Sequence, residues 1–268
     1  MNSVRQNPLR VAILTMVPQG FAAMCAEEIF KMGRVKLVGV VIDERRVVSW
    51  RRYLARRVKK FLRLGPLALI PAMWVRRLAK RERTLVDVPL DVMAAQKGIP
   101  VLRVPTINSP TVRKTLKAWG TDLGLSLGNS LIVKRTFDAP RLGTLNVHHS
   151  KVPEFRGSPP VLWEIHEGES TVGYTIHRID STVDGGAVLK EGAVPIEVAD
   201  TLEETYYRTR LAVFKASAVG LIEVLEQIAR GRFDARPQEK RDLAARTTPS
   251  YRQWRRIQKK WQAMRDAR

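Results

Sequence analysis

The 268-residue chain carries 47 Lys/Arg against 26 Asp/Glu, a formal net charge of +21, with an ordinary 44% of hydrophobic residues. That length buries a sizeable core and suits one domain with additions better than two full domains. Its single cysteine, Cys25, excludes an internal disulfide framework, and no apolar run reaches the roughly 18–20 residues that a membrane span needs. The polar start at 1–10 and the short apolar run at 11–17 do not make a signal-peptide core, so a cytoplasmic location is expected. The charge is unevenly placed. Residues 45–83 hold 14 Lys/Arg and one acid, Glu82; residues 230–268 hold 13 Lys/Arg and four acids; the remainder is close to neutral.

Residues 9–16 (LRVAILTM) form a short β-branched run that reads as a buried strand. A helix follows at 21–31, with Cys25 in its apolar pattern as a buried, inert thiol. A second strand-length run occupies 36–42. Strand, helix and strand with short connections imply a right-handed βαβ unit and a parallel sheet. From Ser49, a plausible N-cap, Trp50, Tyr53, Leu54, Val58, Phe61 and Leu62 fall on one helical stripe. Gly65–Pro66 ends it, and an apolar stretch at 67–75, broken by Pro71, runs into the basic residues 76–83. This segment, about 44–83, reads as a basic helical insertion.

The α/β pattern then resumes with a helix at 90–97, a strand at 101–104, a helix at 109–119 and a strand at 121–127. Further strands are expected at 143–148, 172–179 and 187–195, with a helix at 160–167. A long helix, with room for a break, spans 202–229. The second basic segment, 230–268, closes the chain with Tyr251, Trp254, Ile257 and Trp261 at helical spacing. The expected fold is a doubly wound, mostly parallel α/β sheet. Residues 1–229 would be the catalytic domain and 230–268 a basic helical extension.

Residues 143–160 read GTLNVHHSKVPEFRGSPP, and 173–186 read GYTIHRIDSTVDGG. Asn146 and His148 lie two apart at a strand end, so period-two geometry points both side chains to one face. The carboxyl ends of parallel strands are where ligands sit. Asp184 precedes Gly185 and Gly186, which let the backbone turn tightly beside a ligand. His149 faces the other way and, with His166 and His177, reads as structural. No His/Cys/Asp/Glu spacing suggests a metal site.

This pattern resembles the signature of the folate-dependent formyltransferases: Asn-x-His with downstream Ser, Pro and Gly, a Gly-x-Thr strand, then an Asp–Gly loop. The resemblance covers about 121–190 closely and the first βαβ unit loosely. It implies a Rossmann-like formyltransferase fold, N10-formyltetrahydrofolate as co-substrate, no metal, and a catalytic set of Asn146, His148 and Asp184. Asn146 would donate to the oxyanion formed when an amine attacks the formyl carbon. His148 would either do the same when protonated or take the amine's proton when neutral, and Asp184 would favour the imidazolium. The resemblance places the pteridine against Leu127, Gly128, Asn129, Leu131, Ile132 and Val133, with Ile179 and Val183 on the other wall. It puts Ser150, Arg156 and Gly157 on the acceptor side.

After the first strand the chain lacks the Gly-rich phosphate loop of the glycinamide ribonucleotide branch. The 39 residues from Arg230 are too few for the β-barrel of the tRNA branch. The expected acceptor is therefore a primary amine on a small molecule, an amino sugar linked to a nucleotide. The alternatives are an aminoacyl-tRNA, water (a hydrolase), or a non-catalytic basic adaptor. The segments 45–83 and 230–268 admit three readings: tRNA backbone contacts, attachment to an anionic membrane surface at the cytoplasmic side, or solvated faces packed on the core.

Overall fold

The computed structural model describes residues 7–44, 58, 67, 69–82, 88–129, 131–239 and 244–268. The helix expected at 49–64 lies outside the described residues except for Val58. In chain order the elements are β1 Leu9–Thr15, α1 Phe21–Phe30, β2 Val35–Asp43, α2 Leu69–Glu82, α3 Leu90–Gln96, β3 Val101–Val104, α4 Pro110–Ala118 and β4 Leu123–Ser126. They continue with α5 Lys134–Phe137, β5 Thr144–His148, α6 Leu162–Glu167, β6 Thr171–Arg178, β7 Val188–Pro195, α7 Leu202–Ala229 and α8 Tyr251–Asp266.

The seven strands lie in the order β3-β2-β1-β4-β5-β6-β7. The first five are parallel, while β6 and β7 are antiparallel additions beyond β5. β1 and β4 run side by side at the centre, where the strand order reverses and a crevice opens at the carboxyl ends. Alternation along β1 shows the two faces. Val11 and Ile13 belong to the larger core under α1 and α7, while Ala12 and Leu14 belong to a smaller one with Val112, Leu116 and Phe137. Gly39 on β2 has no room for a Cβ, which would overlap the Trp119 ring.

One element differs from the sequence reading, and the long helix keeps its expected bounds. Pro71 does not break the apolar stretch: it sits in the first turn of α2, where a missing N–H leaves no helical bond unmade. The long helix at 202–229 is continuous over 28 residues, capped by Thr201, whose hydroxyl accepts from Glu204 N–H. α8 opens on a capping box of Ser250 and Gln253, and its buried stripe is Trp254, Ile257 and Trp261. The indole of Trp261 donates to Thr205 Oγ1 at 2.9 Å, and Trp74 of α2 packs edge-on against Trp254.

The segment between α7 and α8 is laced into the sheet. Arg236 and Val188 exchange backbone hydrogen bonds, each 2.8 Å, a single antiparallel bridge beside the start of β7. Arg246 N–H donates to Arg156 O at 2.6 Å, and Ser158 N–H donates to Arg246 O at 3.1 Å. Gly157 lies between them at φ 96, and a Cβ there would overlap the Arg246 backbone.

Candidate active site

Four side chains meet beyond the end of β5. The antiparallel register sets Asn146 opposite His177 and His148 opposite Thr175. Asn146 Nδ2 lies 3.2 Å from His177 Nε2, and His177 Nδ1 lies 3.0 Å from Arg178 O. One assignment satisfies both contacts: a neutral His177 donating from Nδ1 and accepting the Asn146 amide at Nε2. Burial of His177, only 2% exposed, lowers its pKa and keeps it neutral. Asn146 Nδ2 then has a second N–H for the cavity that it lines.

His148 Nε2 lies 3.1 Å from Phe155 O, so Nε2–H donates to that carbonyl and Nδ1 is left as the proton-accepting nitrogen. Nδ1 faces Asp184 Oδ2 at 3.8 Å, and Asp184 Oδ1 is 3.8 Å from His177 Nε2. The carboxylate therefore stands between the two imidazoles. It stabilises positive charge on whichever ring gains a proton, and the buried His177 resists taking one.

Asp184 reaches this position through an uncommon backbone conformation, φ 49. The loop is built locally: Asp180 Oδ1 accepts from the N–H and hydroxyl of Thr182, at 2.8 and 2.6 Å. Gly186 passes so close to the Arg178 carbonyl that a Cβ would overlap it. Gln238 closes the loop from outside, its Nε2 donating to Asp184 O at 2.9 Å and to Gly186 O at 2.7 Å.

A cavity of about 490 Å³ opens over this group. Of the residues expected at the site, Asn146, His148, Asp184, Gly128, Asn129, Leu131, Ile132, Ile179, Val183 and Gly157 line it. Asn129 also closes the crevice, its amide donating to Leu14 O at 2.5 Å and Ser126 Oγ at 3.2 Å.

Four expected residues do not line it. Leu127 points into the core, 2% exposed, its carbonyl accepting from Thr15 Oγ1 at 2.6 Å and its N–H donating to Leu14 O at 3.0 Å. Val133 is the N-cap of α5 and turns its side chain to the outer surface. Ser150 is buried under the loop, where its hydroxyl donates to Glu164 Oε1 at 2.7 Å. Arg156 accepts from Arg246 N–H through its carbonyl, while its guanidinium lies near Gly185 in the Asp184 loop.

His177, read as structural from the sequence, is instead part of the site. Only the β5–β6 register brings it there, and no local pattern announces that register. His149 does face away from His148, packing edge-on to Phe21 at 4.5 Å and tilted on Phe214 at 4.7 Å. Its ring still borders the cavity, and burial, together with Arg210, lowers its pKa well below the usual histidine value. His166 lies buried beside Trp163, away from the cavity lining.

Arg210 was not visible as a site residue, because one arginine in a long helix reads as a solvated charge. It is 8% exposed, paired with Glu82 at 2.9 and 3.3 Å, and stacked 4.3 Å over Phe214. Its Nη1 is buried with no hydrogen-bond partner. Arg210 borders both the main cavity and a smaller one, about 190 Å³, whose walls include Gly20, Phe21 and Ala22 at the start of α1. Beneath it, burial raises Glu164 to a pKa of about 7. Among the described residues no group of three or more His, Cys, Asp or Glu is placed to hold a metal ion.

The arrangement suits acyl transfer to a neutral nucleophile. His148 Nδ1 can take a nucleophile's proton, Asp184 can stabilise the imidazolium, and the free N–H of Asn146 can donate to an oxygen that gains charge.

The formyl transferase family model matches residues 78–220, about half of the chain. Curated relatives include the methionyl-tRNA formyltransferases of Chloroflexus aggregans and Geobacillus thermodenitrificans. The first is 35% identical over 168 residues, covering 61% of this chain and 52% of the relative. The second is 34% identical over 160 residues, covering 59% and 49%. The chain thus spans about half the length of the curated relatives it matches. Among solved structures, the fold is similar to a phosphoribosylglycinamide formyltransferase from Anaplasma phagocytophilum (TM-score 0.58, 17% identity, 88% of this chain and 95% of that one). It is also similar to WlaRD, a sugar 3N-formyl transferase solved in the presence of dTDP and 5-N-formyl-THF (TM-score 0.55, 15% identity, 88% and 69%). Residues that match the family model carry Asn146, His148, His177 and Asp184, and the chain belongs to the formyl transferase family.

Proposed function

We propose that this chain transfers a formyl group from N10-formyltetrahydrofolate to a primary amine carried by an amino sugar linked to a nucleotide. The convergence of Asn146, His148 and Asp184 on one cavity carries the reaction class. That cavity also fits the co-substrate: Leu131 and Ile132 on one side and Ile179 and Val183 on the other offer apolar walls for a flat ring, with the Gly128–Asn129 backbone at its edge.

The residues divide the work as follows. His148 Nδ1 removes a proton as the acceptor nitrogen bonds to the formyl carbon. Asn146 N–H stabilises the formyl oxygen while it holds negative charge. His148 then returns its proton to folate N10 as the bond from N10 to the formyl carbon breaks, leaving the N-formyl product and tetrahydrofolate. Asp184 stabilises the imidazolium between these transfers.

For the acceptor, the supporting observation is the smaller cavity. The start of α1 and the unpartnered Nη1 of Arg210 offer donors to an anionic group such as a phosphate, beside Glu82, which lines the same cavity and holds the rest of the guanidinium. An aminoacyl-tRNA acceptor is the second reading, favoured by the curated relatives named methionyl-tRNA formyltransferase. One assay separates them: formyltetrahydrofolate is incubated with a panel of amino-sugar nucleotides, with methionyl-tRNA, and with neither, following tetrahydrofolate release and product mass. A formylated sugar nucleotide supports the proposal and formylmethionyl-tRNA alone supports the second reading. Release that needs no acceptor means hydrolysis, and no release in any arm refutes formyl transfer.

A further inference from the structure

Eleven large apolar side chains are exposed among the described residues, and five of them, Val58, Leu67, Leu69, Ile70 and Met73, fall within residues 58–73. Leu131 and Val183 are accounted for by the cavity they border. The cluster at 58–73 borders none of the cavities described above.

α2 shows how the cluster is arranged. Its inner stripe is Pro71, Trp74, Val75 and Leu78, with Trp74 packed against Tyr206 of α7 and Trp254 of α8. Its outer face carries Leu69, Ile70 and Met73 over the first turns, and Arg76, Arg77 and Lys80 over the later ones. Met73 is 62% exposed and Leu69 50%, and with Ile70 they place three exposed aliphatic side chains within five residues. α8 lies against α2 and turns Arg252, Arg255, Arg256, Lys259 and Lys260 outward. The stretch of sequence to which α2 belongs is strongly basic, for residues 45–83 hold 14 Lys/Arg and one acid.

We infer that the outer face of α2, with the outward cations of α8 beside it, docks on an anionic lipid surface. Ile70 and Met73 enter the acyl boundary, and Arg76, Lys80 and the α8 cations lie at the headgroups. Aliphatic side chains flanked by Lys/Arg are the composition of an interfacial helix. A nucleic-acid backbone would need the same cations but gives no reason for exposed aliphatic side chains among them. Here Trp74, Trp254 and Trp261 all turn inward, and aliphatic residues take the outer positions. The inference does not depend on which acceptor the site uses, or on formyl transfer itself.

The test uses the full chain. Cys25, the single cysteine, is fully buried, so a Met73→Cys variant can be labelled at that position with an environment-sensitive fluorophore. Vesicles of phosphatidylcholine with roughly one-third phosphatidylglycerol, pure phosphatidylcholine vesicles, and tRNA are added in turn. The expected result is a blue shift with rising intensity on the anionic vesicles only. In co-sedimentation, Ile70→Glu should weaken vesicle binding about tenfold, and Arg76→Glu/Lys80→Glu by a similar factor, with formyl transfer unchanged. Three outcomes each overturn the inference: no shift on anionic vesicles, tRNA binding without vesicle binding, or an Ile70→Glu variant that sediments like the wild type.

Discussion

Replacing Gln238 by Ala removes a side chain that holds the Asp184 loop from outside. Its Nε2 makes two hydrogen bonds, to Asp184 O at 2.9 Å and to the buried Gly186 O at 2.7 Å. Each contributes about 1 kcal/mol net, more where a buried carbonyl is left unpaired, so about 2 kcal/mol of local support disappears. The loop also holds Asp184 at φ 49, a conformation that costs roughly 1–2 kcal/mol and persists only while its surroundings enforce it. A 2 kcal/mol shift is about a thirtyfold change in the population of the aligned loop. Turnover should therefore fall roughly ten- to thirtyfold in a steady-state assay of tetrahydrofolate release, with global Tm lowered by only a few degrees. Arg236→Ala is the control: its bridge to Val188 runs through the backbone, so activity should persist. If Gln238→Ala turns over within twofold of wild type, Asp184 is held by its own loop and the reasoning fails.

Three further outcomes follow from the same geometry. His148→Ala and Asp184→Ala should each lower kcat by about 10²–10⁴ with KM changed little, since both act on charge that forms during reaction; near-normal turnover in either removes it from the mechanism. Glu164, with its pKa raised by burial to about 7, binds its proton more tightly folded than unfolded, so it stabilises the fold fully below about pH 4.5 and loses that stabilisation as pH rises through 7. Glu164→Gln should therefore gain stability relative to wild type between pH 5 and 8, by up to about 3 kcal/mol in denaturant titrations; an equal difference at both pH values contradicts the burial account. Gly39→Ala should destabilise the sheet by about 1–3 kcal/mol because its Cβ overlaps Trp119, and Trp119→Leu in the same chain should restore most of the loss.

Much of the framework was legible because its signals are local. The β-branched runs, the Ser109 cap ahead of Pro110 and the two-residue spacing of Asn146 and His148 each state a geometry within a few residues. What escaped depends on long-range register and packing. His177 joins the site only because β6 runs antiparallel to β5. Ser150 looks like a site hydroxyl from its place after His148–His149, but the chain turns there and Glu164 captures it. Arg210 becomes a cavity residue only through Glu82, which arrives from an element far away in sequence.

The lacing of residues 236–246 across the Asp184 and Gly157 loops bears on the order in which the protein becomes competent. Every strand and α7 leave the ribosome before Gln238 and Arg246 do, so the sheet can close while the two loops at its carboxyl edge still lack their clamps. Maturation would then come in two stages, a scaffold first and a poised site second. A truncated chain that stops after α7 would lose both clamps together with the Trp254, Ile257 and Trp261 stripe that α8 adds to the larger core.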